Sequence, residues 1–291
     1  MPLDRTRTLV VVGAVLALAG IAVPAALGIT LHPTGLLEAG LGAALLVASS
    51  ALALNGSRPQ PLPAHRAVPA VLATTAANAV TPAGIGGAIL VVRFHRRSGL
   101  STEQAVAAAG ARSVVGGLTA SLAALVATMV VGKHLGPAGG ALKWALPAAF
   151  LAVVLVALAV PAARRRVARF GGALLDIART PRCLVSLLVG CAGVTLAQLL
   201  TLHGAVVAVG GQLSWAALLA ALVGSNAARS AVPSPGGVGP IEAALVGGLS
   251  ALGLGVGTAA AAVAVYRTAG HWLPVLGGVA SLKSLRRAQL V

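Results

Sequence analysis

Apolar stretches of about 20 residues recur along this chain, and each is long enough to cross a hydrocarbon core roughly 30 Å thick as one helix. In hydrocarbon every backbone N–H and C=O must be satisfied within the protein, which leaves only helices or a closed barrel. Short alternating strands are absent from the sequence, so a barrel is excluded and an all-α integral membrane protein is expected. Charge agrees with this, because 9% charged residues are too few to cover a soluble globule of 291 residues. The first stretch, residues 9–31, exceeds the apolar core of a cleavable signal peptide and a second follows at once, so it reads as a retained span.

Six full spans are expected, at residues 9–31, 36–53, 104–131, 142–163, 183–209 and 258–282. Two further apolar stretches, 67–92 and 214–252, are interrupted near their middles. Pro82, Gly84, Gly86 and Gly87 break the first; Pro233, Pro235, Gly236, Gly237 and Gly239 break the second. Proline lacks the N–H a helix needs and clashes with the preceding turn, so neither stretch can be one straight helix.

The basic residues say how the broken stretches run, since short cytoplasmic loops are enriched in Lys and Arg. If residues 67–92 dip into the membrane and return, then Arg5, Arg7, Arg58, Arg66, Arg93, Arg96, Arg97, the run at 164–182, Lys283, Arg286 and Arg287 share one side. Lys133 and Lys143 alone then face the other. The expectation is a multi-pass protein of the cell membrane with both termini cytoplasmic, one hairpin entering from each side.

The interrupted stretches also resemble one another. The Pro82 to Gly87 run matches Pro235 to Pro240, a Gly-Leu pair follows each (Gly99-Leu100 and Gly253-Leu254), and an Ala-rich helix then carries Arg112 or Arg267. Three full spans lie between the copies, an odd number, so the copies are expected to be inverted. Inverted repeats with broken helices are a transporter architecture, in which freed backbone groups face a polar cavity. The chain is read as a single membrane domain, 1–291: two leading spans at 1–63, repeat one at 64–132, linking spans with a basic loop at 133–210, and repeat two at 211–291.

The residues able to carry chemistry sit near these breaks. Arg112 and Arg267 lie well inside spans, where an unpaired Arg costs at least ~2.5 kcal/mol. They either reach a hydrated cavity, where the guanidinium fork suits phosphate, or pair structurally with Glu242 or snorkel to an interface. Glu242 opens the helix after the second break, where capping alone accounts for it as well as pairing with an Arg or binding an ammonium group does. Arg229 is a weaker head-group candidate. Asn78 and Asn226 either join the site or satisfy backbone groups freed by the breaks. On the last span Arg267, Gly270, His271 and Pro274 share one face, with Tyr266 alongside; His271 reads first as a packed, hydrogen-bonded residue and second as a proton relay within the site. Cys191, Thr195 and Gln198 form a fainter stripe on the fifth span, of the kind that glues helices together.

Several function classes fall away. The +16 charge would suggest nucleic acid in a soluble protein, but here basic residues punctuate apolar segments and stacking aromatics are nearly absent. The run Arg164, Arg165, Arg166, Arg169 fits a stop-transfer signal or a contact with anionic lipid. The glycine runs lack the lysine and the preceding strand of a phosphate-binding loop. Cys183 and Cys191 are eight residues apart on one expected helix, about 12 Å, too far to pair. Lacking a Cys/His cluster and a nucleophile with a recognisable partner, the chain is read as a non-enzyme with no metal and no cofactor.

These motifs resemble the flippase-type transmembrane region of lysylphosphatidylglycerol synthases, in a stand-alone form. The resemblance covers about residues 64–285 and is most specific in Pro233-Ser-Pro-Gly-Gly-Val-Gly-Pro-Ile-Glu242 and in Tyr266-Arg267 followed by His271-Trp272-Leu273-Pro274. The first repeat, with Asn78, Pro82 to Gly87 and Gly99-Leu100-Ser101, is looser; members often carry an acid after the glycine run, where this chain has Ala88. The resemblance implies movement of a phospholipid or a polyprenyl-phosphate-linked lipid between leaflets, without the aminoacyl transferase of longer members. The partners implied are membrane lipids, anionic or zwitterionic, together with a second copy or a separate lipid-modifying enzyme, and no nucleic acid. A secondary transporter of a small organic anion and a non-transporting scaffold for an envelope enzyme are the alternatives.

Overall fold

The computed structural model describes residues 3–81, 84–131, 175, 177, 179–232 and 234–291. The expected span at 142–163, the run at 164–169, Lys133, Lys143, Pro82 and Pro233 lie outside the described residues. Among the described residues all regular structure is helical: α1 (Leu3–Ala26), α2 (Pro33–Gly56), α3 (Ala64–Ala79), α4 (Ile85–Arg97), α5 (Thr102–Val131), α6 (Pro181–Ala208), α7 (Trp215–Ala231), a 3₁₀ turn (Pro235–Gly237), α8 (Pro240–Ala251), α9 (Val256–Arg267), a π turn (Thr268–Trp272) and α10 (Leu273–Arg287). The last three run on as one rod.

Among the described residues three helices are long and apolar enough to cross a membrane: Pro33–Gly56, Thr102–Ala127 and Pro181–Ala208. The apolar part of α1, Val10–Ala26, is shorter. Helix ends differ by a few residues from those expected because prolines and caps, not the limits of apolarity, set them. Pro33 and Pro181 both sit in the first turn, where the missing N–H costs nothing.

The frame is the antiparallel pair of α2 and α6. Gly35 faces Ala208, Gly42 faces Thr201, Gly190 faces Ala53 and Gly56 faces Leu187, so one register holds along the whole pair. A Cβ on Gly42 would stand 2.6 Å from the Thr201 backbone nitrogen, closer than any real Cβ contact. Lipid supplies no hydrophobic drive for helices to associate, so close backbone approach through small residues is what holds such a pair.

Each interrupted stretch folds as helix, break, helix. Arg58 Nη2, before α3, donates to the Ser98 carbonyl oxygen, after α4, at 3.0 Å, so the first hairpin leaves where it entered, at the Gly56 end of α2. At 16 and 13 residues its arms are about 24 and 20 Å long, short of a full crossing. The second hairpin has its ends, Leu213 and Leu254, in the cluster that holds Ile29 and Leu31, at the Pro33 end of α2. The two breaks meet: a Cβ on Gly236 would stand 3.4 Å from the Cα of Ala79. α10 lies antiparallel along α3, burying Ala76, Trp272, Val275 and Val279 together, and α5 packs against α7.

Candidate functional site

Break two is built from left-handed backbone. Gly236, Gly237 and Gly239 have φ of 64°, 70° and 94°, values that a Cβ disfavours. α8 restarts at Pro240, and Glu242 Oε2 accepts the Gly239 N–H at 2.7 Å, capping the new helix. The other oxygen, Oε1, lies 2.6 Å from Arg267 Nε. Arg267 Nη2 donates to the Gly236 carbonyl oxygen at 3.0 Å, and the guanidinium carbon is 5.5 Å from the centre of the Trp272 ring. Arg267 is therefore paired, and Glu242 both caps and pairs.

Around this pair the other second-repeat candidates gather. Arg229 is exposed, runs past Gly237, and lies within electrostatic reach of Arg267 and Tyr266. Tyr266 is half-buried against the main core. The π turn widens the helix right after Arg267, a distortion frequent at functional sites, and carries His271 edge-on to Trp272 at 4.7 Å. His271 Nε2 is buried without a hydrogen-bond partner and faces Gly236. Asn226 is half-buried one turn before Arg229.

Break one is simpler. Gly84 has φ of 71°, Asn78 Oδ1 accepts the Gly87 N–H at 2.8 Å, and Thr81 Oγ1 accepts the Gly86 N–H at 2.9 Å. Asn78 thus satisfies backbone freed by the break. Arg112 does not join the Arg267 group. Its carbonyl oxygen faces Cys191 Sγ at 3.9 Å on α6, whereas Gly270 lies against Thr201, ten residues or ~15 Å further along that helix. Similar offsets after hairpins based at opposite ends of the bundle place the two arginines in opposite halves.

Two features escaped sequence reading. Glu38 Oε1 and His203 Nδ1 are 2.6 Å apart across the α2/α6 pair, and His203 stacks on Trp215 at 4.0 Å; only the antiparallel register of those helices reveals them. Arg58 and His95 are buried close to Arg112, where both arginines act electrostatically on the imidazole. Arg58 lies outside the spanning helices, and burial pulls its pKa below the ordinary arginine value.

A cavity of about 920 Å³ lies between α1, α3, α10 and the two breaks. Leu16, Ala79, Val80, Val238, Trp272 and Val275 wall it, with Thr81 and Arg286 as polar exceptions. Trp272 lines it, and Arg267 lies over the same ring. A second recess, about 910 Å³, is edged by Arg93, Arg96 and Arg97 at the base of the first hairpin.

No curated protein matches the chain. The family described as the lysylphosphatidylglycerol synthase TM region matches residues 5–278, which takes in the two leading spans as well as both hairpins, and this helical membrane protein belongs to that family.

Proposed function

We propose that the protein is a lipid flippase that moves a phospholipid or polyprenyl-phosphate-linked lipid between leaflets, with no catalytic step. The observation that carries this reading is the apolar cavity between the two breaks, with the Arg267–Glu242 pair directly behind Trp272. Walls that are apolar apart from Thr81 and Arg286 accept acyl chains better than a small soluble anion. The polar group behind them offers a phosphate the Arg267 and Arg229 guanidinium groups, with Tyr266 and His271 at its edge. Hairpins based at opposite ends of α2, with touching breaks, support a re-entrant, inverted repeat. The basic residues around the first hairpin's base support cytoplasmic termini.

The test is purified protein in liposomes that hold fluorescent phospholipids with different head groups, read with a leaflet-selective quencher. Wild-type protein should accelerate exchange, and Val80→Trp, which fills the cavity from an exposed wall position, should slow it about tenfold. No acceleration for any head group would end the reading. The Arg267–Glu242 pair is also what favours the scaffold alternative, in which the intramembrane charges are purely structural. Under that alternative, pair variants lose stability while their folded fraction behaves like wild type.

A further inference from the structure

One buried group of side chains is left without counter-charge. Arg58 follows α2 and is 2% exposed; His95, in the last turn of α4, is fully buried; Arg112, half-buried on α5, lies within electrostatic reach of His95. Arg58 uses Nη2 on the Ser98 carbonyl, but its Nε and Nη1, and both ring nitrogens of His95, are buried with no partner. Among the described residues no carboxylate reaches Arg58 or Arg112: Glu38 is taken by His203, Glu242 by Arg267, and Glu103 is exposed at the start of α5. With 5 acids for 21 Lys and Arg, the chain has few others to offer.

Comparison of the hairpins sharpens the point. Glu242 stands seven residues after Pro235, and the position seven after Pro82 is Ile89, an exposed apolar side chain. The second hairpin supplies the counter-ion of its own arginine, and the first does not. Buried cations without a partner are rare because desolvation is left uncompensated. Two guanidinium groups that both act electrostatically on one buried imidazole suit a tetrahedral oxyanion, which offers several acceptor oxygens to such donors.

We infer that Arg58, His95 and Arg112 form a binding site for a phosphate-class oxyanion, supplied by a phospholipid head group or by free phosphate. Arg112 forms the reachable side of the site, while Arg58 and His95 stand behind it. The inference is independent of lipid movement, because a resident anion would occupy this site whether or not the second break carries a transported lipid.

The experiment is thermal unfolding of the full chain in a maltoside detergent and phosphate-free buffer, with inorganic phosphate, phosphatidylglycerol or a phosphate-free glycolipid added. Near saturation the midpoint should rise by about 5 °C or more with phosphate or phosphatidylglycerol and stay put with glycolipid. A response to phosphate assigns a free anion; a response to phosphatidylglycerol alone assigns a head group. Arg112→Met should raise the anion-free midpoint, because it removes an unpaired cation, and should abolish the response. Arg58→Gln should also abolish it, and Arg112→Lys should keep part of it if Arg58→Gln does not fold. Asp176→Asn, at a carboxylate outside the described residues, should respond as wild type does. The inference is overturned if neither anion shifts the wild type, if Arg112→Met responds in full, or if a response emerges only in Asp176→Asn.

Discussion

The most telling residue is Arg267, whose three contacts, to Glu242, Gly236 and Trp272, tie the last span to the second break. Removing one partner of such a pair strands the other. Arg267→Gln or Glu242→Gln should therefore each cost about 1–3 kcal/mol, below the fully buried value because the Glu242 side chain is 31% exposed. The double variant should lose less than the two singles added together, which thermal unfolding of all three checks. Gly236 offers a second test at this scale. With φ of 64° and with Ala79 and His271 in contact range of any Cβ, Gly236→Ala should cost about 1–2 kcal/mol in the same measurement.

At the scale of helices, two arrangements make separate predictions. The α2/α6 seam leaves Gly190 no room against the Ala53 backbone, so Gly190→Val should prevent recovery of monodisperse protein in detergent. Gly40→Val, on the same pair but facing open space, should be recovered normally. The hairpins predict sidedness. Cysteines placed at the exposed positions Gln60 and Ser101 should label from one face of intact vesicles, and those at Gln212 and Val256 from the other. Native Cys183 and Cys191 are buried and free, and should stay silent. Labelling of Gln60 and Ser101 from opposite faces would refute the hairpin reading.

For the molecule as a whole, much was legible in the sequence, because apolar length and Pro/Gly interruptions fix helices and breaks locally. The α2, α5 and α6 helices and the turn of chain at each break follow from that alone. The separation of Arg112 from Arg267 did not follow. An interval counted along the chain measures distance from a helix start, but not the end of the bundle at which that helix starts. Nor could the sequence announce Arg58, His95 or the Glu38–His203 contact, which depend on which face of one helix meets which face of another. The tightness of the α2/α6 seam has a mechanical corollary. Backbones that touch through glycine along their length leave little room to slide or tilt, which suits this pair to be the fixed frame of the proposed lipid movement. Under that proposal the moving parts would be drawn from α1, α5, the α9–α10 rod and the hairpins. A disulfide joining Ala53→Cys to Gly190→Cys should leave the proposed lipid exchange untouched, whereas a link between Ala79→Cys and Gly236→Cys should stall it.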